Sequence, residues 1–208
     1  MEQEQFGKNF LLKMIKYNKI IKSSLKNHKN IVEIISKEIF IKNILKSIVL
    51  IENTLKKGKT IFWCGNGGSA ADSQHFAAEL VGRFKLKRKA LKSIALTTDT
   101  SAITAISNDY NFSKIFSRQL EGLGSTNDLI VAISTSGNSK NIIEVLKQSK
   151  KQKIKSICLL GNKGGSSKKY SDVSLIVPSK NTARIQECHI LIGHIFCEII
   201  DSFYKKSK

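Results

Sequence analysis

The sequence predicts a single α/β domain built on a parallel sheet of about five strands, with helices on both faces and further helices at the amino terminus. Two observations carry this prediction. Short apolar segments typical of buried strands alternate with longer segments whose apolar residues recur at helical spacing. Glycine-rich or hydroxyl-rich loops directly follow two of the strand segments, as in open parallel sheets whose strands are connected through helices.

Length and composition fit one domain. The 208 residues are 41% hydrophobic, which allows one sizeable core. No apolar run reaches the length of a membrane span, and the first ten residues lack the apolar region of a signal peptide. We therefore expect a cytoplasmic protein without a membrane partner. Four cysteines lack the spacings of a zinc knuckle or a disulfide scaffold and are predicted to be reduced, mostly buried thiols: Cys64, Cys158, Cys188 and Cys197.

The net charge of +19 raises the question of a nucleic-acid partner, because basic surfaces displace counterions from phosphates. Only four of the 35 basic residues are arginines, and the scattered lysines do not alternate with aromatic residues that would stack on bases. The densest basic run, residues 85–92, is interpreted as a solvated loop. We therefore expect no specific nucleic-acid partner.

The elements follow in order. Helical periodicity from residue 9 to about 57 predicts two helices that part near residues 26–30, and Gly58 ends the second helix. Strands are predicted at residues 60–64, 93–96, 128–133, 154–160 and 173–177. Helices are predicted at about residues 69–81, between the second and third strands, at 139–151 and at 182–204. Residues 1–57 would thus form a helical extension and residues 58–208 the α/β domain.

Two loops join a buried strand to a helix, at the edge of the sheet where ligands bind. The glycines of Cys64-Gly-Asn-Gly-Gly-Ser69 allow close backbone approach at a helix amino terminus, which attracts anions, although a tight turn would have the same pattern. The hydroxyl groups of Ser134-Thr-Ser-Gly-Asn-Ser139 can surround a phosphate; alternatively, Ser139 is an N-cap and the rest a polar turn. Neither loop has the pattern of a dinucleotide site or of a P-loop.

Two helices carry side chains suited to proton transfer or metal binding. His75 and Glu79 lie four residues apart on a predicted helix and therefore share one face. They can bind a divalent metal or act as base and acid, although a solvated pair is the ordinary interpretation. The last helix adds Gln186, His189 and His194, but its apolar residues also fit a buried core helix.

The loop at residues 134–139, between a strand and a helix, resembles the phosphosugar-binding loop of sugar isomerase (SIS) domains. Residues 64–69, followed by Gln74-His-Phe-Ala-Ala-Glu79, resemble the phosphoheptose isomerases within that family. The similarity continues through Asn108-Asp109 and Ala183-Arg-Ile-Gln-Glu187 to His194. It covers roughly residue 50 to the carboxyl terminus, and it implies a single doubly wound SIS domain of the flavodoxin-like three-layer type.

The resemblance implies an isomerase that converts D-sedoheptulose 7-phosphate to D-glycero-D-manno-heptose 7-phosphate through an enediol. This would be the first step of nucleotide-activated heptose biosynthesis, for lipopolysaccharide or capsule. One Zn²⁺ per subunit would be held by the positions that match the family's ligands: His75, Glu79, Gln186 and His194. Glu79 and His194 match the proton-transfer pair. The positions that match substrate contacts are Asn66, Gly67, Gly68, Glu79, Asn108, Asp109, Ser134, Thr135, Ser136, Ser139 and Gln186.

Helix geometry adds an expectation about assembly. Gln186 and His194 lie about 12 Å apart along a straight helix and about 80° apart around it. A zinc ion with ligand bonds of about 2 Å could hardly be reached by both from one chain. We therefore expect an active site between subunits, in agreement with the homotetramer that the resemblance implies, and N-terminal helices that form subunit contacts. Ala183 departs from the family, because some relatives have an aspartate there.

Two other functions stay open. Some close relatives are non-catalytic SIS proteins that bind the bacterial replication initiator, and they share much of the glycine loop and the Arg-Ile-Gln-Glu motif. Glu79 beside His75 favours the enzyme, because an isomerase needs this base. A sugar-phosphate-sensing regulator would need a DNA-binding domain, and residues 1–57 show no recognisable turn between two short helices.

Overall fold

The computed structural model describes the backbone of residues 2–204 and the side chains of residues 6 and 9–204. Met1 and residues 205–208, which the predicted division of the chain includes, lie outside the described residues. The seven α-helices of the described part are α1 Glu2–Ile35, α2 Glu38–Lys56, α3 Gly68–Val81, α4 Thr100–Asp109, α5 Ile115–Leu123, α6 Lys140–Lys151 and α7 Thr182–Ser202. The strands are β1 Ile61–Gly65, β2 Ser93–Ala95, β3 Leu129–Ser134, β4 Lys155–Gly161 and β5 Val173–Val177.

The five strands form one parallel sheet in the order β2-β1-β3-β4-β5. The predicted α/β class and the number of strands are confirmed. Because the chain passes from β1 to β2 on one side and returns to β3 on the other side of β1, the topological switch point lies between β1 and β3. Open parallel sheets bind their ligands beyond the carboxyl ends of the strands at this point.

Two apolar layers cover the sheet. Successive side chains of a strand point to opposite faces, so that Trp63 packs in one layer and Phe62 in the other. The layer that contains Trp63 is formed with α2, α3, α7 and the end of α1, whereas the Phe62 layer is formed with α4, α5 and α6. The fold therefore has the three layers that the resemblance implied.

The break between the first two helices is not where the sequence predicts it. Residues 26–30 are helical, and α1 continues to Ile35 before α2 begins at Glu38. The polar run contains no glycine or proline to end a helix. Helix α2 also belongs to the core, because Phe40, Ile48 and Ile51 are buried in the Trp63 layer, whereas Leu45 and Val49 on another face are exposed. No helix in the described part of the chain is long and apolar enough to cross a membrane.

The basic run at residues 85–92 is only partly a solvated loop. Lys85, Lys87 and Lys89 are exposed, but the Arg88 side chain is buried and its Nε donates to Asp201 Oδ1 at 2.9 Å. Burial alone would raise the pKa of Asp201, but the N–H groups of Leu86 and Lys85 and the Arg88 guanidinium outweigh it and lower the pKa. This ion pair fastens the loop after α3 to the end of α7.

The four cysteines are free and buried, as the sequence predicts. Burial raises the pKa of Cys188 to about 11 and that of Cys158 and Cys197 to about 12, and it also raises the pKa of Cys64. These groups are therefore neutral core thiols at physiological pH, and thiolate chemistry at the candidate site is not expected.

His189, in the middle of α7, is a core histidine. Its side chain is fully buried, with Nε2 3.1 Å from the carbonyl oxygen of Leu160. Burial lowers the pKa of His189 to about 4, although the hydrogen bond to Leu160 raises it. The neutral ring packs between α7 and β4 and is not available to a substrate.

This burial makes the stability of the protein depend on pH. Between pH 6.5, the ordinary pKa of histidine, and pH 4, His189 binds more protons in the unfolded chain than in the folded protein. The free energy of unfolding should therefore fall as the pH is lowered through this range. We expect urea unfolding of His189→Gln to show a weaker decrease over the same range, because glutamine can donate to Leu160 but does not titrate. An equal decrease in both proteins would contradict the assignment.

Candidate active site

The glycine loop lies between β1 and α3, at the switch point. A Cβ atom on Gly65 would stand 2.5 Å from the carbonyl oxygen of Ser69, so only glycine fits there. Gly67 has φ of +55° and occupies the N-cap position of α3, where no side chain caps the helix. The N–H groups of Ser69 and Ala70 donate to the carbonyl oxygens of Asn66 and Gly67, both at 3.0 Å, so that the loop closes on the first turn of α3 through its own backbone.

The hydroxyl loop lies between β3 and α6, on the strand next to β1. The buried Ser134 hydroxyl accepts a hydrogen bond from the N–H of Gly137 at 3.1 Å, and the Ser136 hydroxyl accepts one from Asn138 at 3.1 Å. Ser139 is the N-cap residue of α6, but its side chain caps nothing and lies 3.4 Å from the Ser134 hydroxyl. Ser134 thus shapes the loop, while the half-buried Thr135 and Ser139 and the exposed Ser136 remain accessible.

A reciprocal pair of amides joins the two loops. Asn66 Nδ2 donates to Asn141 Oδ1 at 3.0 Å, and Asn141 Nδ2 donates to Asn66 Oδ1 at 2.7 Å. Beside this pair is an open cleft of about 530 Å³. Its lining consists of Asn66, Asn111, Phe112, Ser113, Ser139, Lys140 and Asn141. The predicted substrate positions Asn66 and Ser139 therefore come together, with Asn141 and residues 111–113, which the sequence did not suggest.

The histidines and the glutamate form a second group, between α3 and α7. His75 Nε2 lies 2.8 Å from His194 Nε2, so a proton on one nitrogen bonds to the other. Glu79 Oε1 lies 3.7 Å from His75 Nε2. The His75 side chain is 41% exposed and that of Glu79 24% exposed. Three of the four predicted metal and proton-transfer residues are thus brought together at the surface of one subunit.

Aromatic rings hold this histidine pair in place. The Phe84 ring stacks on His194 with centroids 5.5 Å apart, and Phe76 meets both histidine rings edge to face. Phe76 is buried and packs in turn against Trp63 of β1. The position of the imidazoles therefore depends on how closely α3 and α7 pack.

Gln186 lies away from the histidines. A Cβ atom on Gly68 would stand 2.9 Å from Gln186 Cδ, which places this side chain against the first residue of α3. His75 follows Gly68 by seven residues, or about 10 Å along the helix. Since α7 runs parallel to α3 here, Gln186 lies near the start of α3 and His194 lies two turns further along. The structure therefore does not bring Gln186 and His194 together within one chain.

Asp72 is a feature of this face that the sequence analysis missed. It shares one face of α3 with Gly68, His75 and Glu79. The residue is buried, and its Oδ2 has no hydrogen-bond partner among the described residues. Burial raises the pKa of Asp72 to about 6, while the nearby His75 lowers it. The sequence could have indicated it, because an acidic residue three positions before His75 lies on the same face of a helix.

Asn108 and Asp109 lie at the carboxyl end of α4 and are exposed. Asn108 Nδ2 donates to Asp109 Oδ1 at 3.0 Å. They do not line the cleft, which Asn111, Phe112 and Ser113 reach instead. Their predicted contacts with the substrate stay a prediction.

The donor types of the histidine group fit zinc. Zinc takes imidazole nitrogens and carboxylate oxygens, and two such nitrogens face each other here with a carboxylate beside them. Among the side chains that the structure describes, however, no three His, Cys, Asp or Glu residues form a group that could hold a metal ion. One subunit therefore offers part of a ligand set, and Gln186 of the same chain does not complete it.

Comparison with known proteins gives consistent results. The model of the SIS domain family matches residues 23–161. The chain is 50% identical over 184 residues to the phosphoheptose isomerase of a Nitratiruptor species, covering 88% of this chain and 98% of the relative. It is 51% identical over 185 residues to phosphoheptose isomerase 1 of Campylobacter jejuni, covering 89% and 98%.

The solved structure of phosphoheptose isomerase GmhA from Neisseria gonorrhoeae matches with a TM-score of 0.84 at 41% identity, covering 89% of this chain and 98% of that chain. The family model and these relatives each cover most of the chain, and they agree with the motifs in the two loops and on α3. The resemblance inferred from the sequence is confirmed. The chain belongs to the phosphoheptose isomerase family of enzymes, within the SIS domain proteins.

Proposed function

We propose that the protein interconverts D-sedoheptulose 7-phosphate and D-glycero-D-manno-heptose 7-phosphate by proton transfer through an enediol. The observation that carries the proposal is the group formed by Glu79, His75 and His194 between α3 and α7. It combines a carboxylate with imidazoles at a partly open surface, which is the chemistry that this exchange needs. The four free cysteines are consistent with a reducing compartment, and we propose the cytoplasm.

The exchange needs two proton transfers between carbon and protein. A base removes a proton from the hydroxymethyl carbon next to the ketone, and an acid returns a proton to the former carbonyl carbon. We assign the first step to the Glu79 carboxylate and the complementary transfer to the His194 imidazole. The Phe84 ring stacked on His194 holds the imidazole in one orientation, so that little reorganisation is needed during the reaction.

The phosphate of the substrate is assigned to the hydroxyl loop. Ser139 and the exposed Ser136 offer hydroxyl donors, and the amino terminus of α6 adds uncapped backbone groups. By contrast, the α4 and α7 helices are capped by the side chains of Asp99 and Asn181. The helix at the hydroxyl loop, unlike these two, is therefore open to an anion.

A test of this assignment is Ser139→Ala. We expect the KM for the heptulose phosphate to rise about tenfold, because a hydrogen bond to a charged group is lost, while kcat changes little. Ser36→Ala, at an exposed serine outside both loops, is the matched control. An unchanged KM in Ser139→Ala would place the phosphate elsewhere.

We further propose one Zn²⁺ per subunit, held by His75, Glu79 and His194 together with Gln186. When bound, the ion would stabilise the negative charge that develops on the substrate oxygens. The support is the donor set of the histidine group. Elemental analysis of the purified protein should find about one zinc per chain, and His194→Ala should retain much less. A metal-free wild type that turns over the substrate fully would contradict this assignment.

The separation of Gln186 from His194 in one chain supports an active site between subunits, in a homotetramer. Apolar side chains at the start of α2 and along its exposed face could form the contacts, among them Ile39, Leu45 and Val49. Light scattering should give the mass of four chains. A monomer with full activity would contradict a shared site.

The experiment that tests the proposed reaction is turnover of sedoheptulose 7-phosphate by purified protein with zinc, with fructose 6-phosphate as the control substrate. In D₂O the product should carry deuterium at carbon 2, because the enediol takes up a proton from the acid rather than retaining the original one. NMR of the product measures both the amount of product formed and the fraction that carries deuterium at carbon 2.

The alternative, a non-catalytic SIS protein that binds the bacterial replication initiator, is not favoured. The matched relatives are named phosphoheptose isomerases, and the base candidate Glu79 is present and placed beside His75. Binding of the sugar phosphate without turnover or deuterium uptake would reverse this conclusion.

A further inference from the structure

Asn141 joins the two loops of the candidate site, and the proposed reaction assigns it no role. It is the second residue of α6, directly after the hydroxyl loop, whereas its partner Asn66 lies in the glycine loop after β1. The two amides exchange hydrogen bonds of 3.0 and 2.7 Å. Side chains without charge therefore connect the loop at the end of β1 to the loop at the end of β3.

Asn141 is the fixed partner in this contact. Its side chain is only 2% exposed, and it stands at the start of a helix that is anchored in the core. The next two turns of α6 carry fully buried residues of the Phe62 layer, namely Ile142, Val145 and Leu146. A buried side chain on a closely packed helix has few alternative positions. The core of the protein therefore sets the position of the Asn141 amide.

Asn66 is the adaptable partner. It stands in a loop between Gly65 and Gly67, and its side chain is half-buried. A Cβ atom on Gly67 would meet no atom within 4 Å, so the loop is loosely packed on that side. Glycine neighbours restrict the backbone less than other residues do. Several orientations would be open to the Asn66 amide without a fixed partner, and the contact with Asn141 selects one of them.

The reciprocal pair leaves half of the Asn66 amide unused. A carboxamide has two N–H donors and an oxygen with two lone pairs, and the pair occupies one donor and one lone pair of each residue. Rotating the Asn66 amide alone by 180° would face nitrogen to nitrogen and oxygen to oxygen, so that both bonds would be lost. Asn66 also lines the cleft. Its remaining donor and acceptor are therefore held in fixed positions at the cleft.

This arrangement suits a neutral hydroxyl group close to a phosphate. A sugar hydroxyl both donates and accepts, as does the unused half of the Asn66 amide. The pair carries no charge, so it does not repel a phosphate at the neighbouring hydroxyl loop. An aspartate at position 141 could still accept from Asn66 Nδ2, but it could not donate to Asn66 Oδ1, and it would add a negative charge beside that loop.

We propose that Asn141 is a positioning residue for the isomerisation. It acts through Asn66, by holding this amide in the orientation that binds a hydroxyl group of the sugar chain while the hydroxyl loop binds the phosphate. Asn141 itself offers the cleft hardly any surface. The inference rests on the proposed function, and it adds a residue that keeps the two loops in register on one substrate.

The experiment is a double-mutant cycle on kcat/KM for sedoheptulose 7-phosphate. Asn141→Ala should lower kcat/KM about tenfold, because the hydrogen bonds that Asn66 makes with the substrate are misplaced. Asn66→Ala should lower it at least as much. Adding Asn141→Ala to Asn66→Ala should change kcat/KM by less than about twofold, because no Asn66 amide is left to position.

A further variant on α6 separates positioning from stability. The Ser149 hydroxyl is fully buried and donates to the carbonyl oxygen of Leu146 at 2.8 Å. Ser149→Ala removes a buried hydrogen bond at the other end of the same helix, so it should lower the stability in urea and leave kcat/KM unchanged. Asn141→Asp keeps the size of the side chain and should lower kcat/KM at least as much as Asn141→Ala does.

The affinity for the substrate gives a second measurement that does not depend on turnover. Titration calorimetry with sedoheptulose 7-phosphate in the Glu79→Gln background should show the same coupling between Asn66 and Asn141. A wild type that binds the heptulose phosphate without turning it over would contradict the proposed reaction, while the affinity cycle would still test Asn141. Losses that multiply in the double variant, wild-type affinity and kcat/KM in Asn141→Ala, or an equal loss in Ser149→Ala would overturn the inference.

Discussion

Replacement of Glu79 by glutamine should reduce turnover of sedoheptulose 7-phosphate about a thousandfold or more. A positioned acid or base contributes about a hundredfold to ten-thousandfold, and glutamine keeps the size of the side chain but cannot take up the proton. Glu79 lies 3.7 Å from His75 and is only partly exposed, so water cannot easily replace it. The amount of product deuterated at carbon 2 should fall in parallel with turnover, since both depend on the same proton removal.

Glu198→Gln is the matched control for Glu79→Gln. Glu198 is an exposed glutamate on α7 that pairs with Lys85, outside the histidine group. Its replacement should leave kcat unchanged. If Glu79→Gln retains wild-type turnover with an intact fold, the base is another group, and the buried carboxyl of Asp72 becomes the first candidate. If both variants lose activity together, the loss reflects structure or charge in general.

The central strands β1, β3 and β4 were predictable because they are almost wholly buried on both faces. Segments such as residues 129–134 and 155–161 are mostly apolar over their whole length. Such continuous short apolar runs are typical of strands in a parallel sheet that is covered on both faces. Their positions were correct to within one or two residues. The order of the strands was not predictable from such runs, because it depends on which side of β1 the chain returns, and apolar residues do not encode that choice.

The end of α1 was predicted wrongly because a run of polar residues indicates only that a segment is exposed to solvent. It does not show whether the backbone of that segment is a turn or a helix. The polar run Lys26-Asn-His-Lys-Asn30 has the composition of a surface turn. In the structure it is one exposed turn of a continuous helix, which His28 fastens to Glu187 of α7. A contact between residues so distant along the chain overrides the local preference.

The parts of the candidate site that were predictable are those whose residues lie close together in the sequence. The pair His75 and Glu79 follows from helical spacing, and the two loops follow from their position after a strand. By contrast, the amide pair between Asn66 and Asn141 and the approach of Phe112 to the cleft depend on tertiary packing. Likewise, two aromatic rings at unrelated positions, Phe76 and Phe84, hold His194.

The packing of α3 on α7 links the stability of the protein to its candidate active site, and Gly193 is a point of close contact between the two helices. A Cβ atom at this position would overlap the Phe76 ring, whose Cε2 atom would be 2.6 Å away. Gly193→Ala should therefore destabilise the protein by about 3 kcal/mol or more, since neither helix can yield without losing buried contacts. Urea unfolding measures this effect.

The same substitution should also reduce turnover, because Gly193 adjoins His194 and Phe76 adjoins His75 in the sequence. When the helices separate, the 2.8 Å contact between the two imidazoles is lost. Gly122→Ala on α5, where no atom lies within 4 Å of an added Cβ, is the control and should be neutral or slightly stabilising. Trimming the obstructing ring in Gly193→Ala with Phe76→Leu should restore part of the stability. A fully stable and active Gly193→Ala would show that the close approach of α3 and α7 does not position the histidine pair.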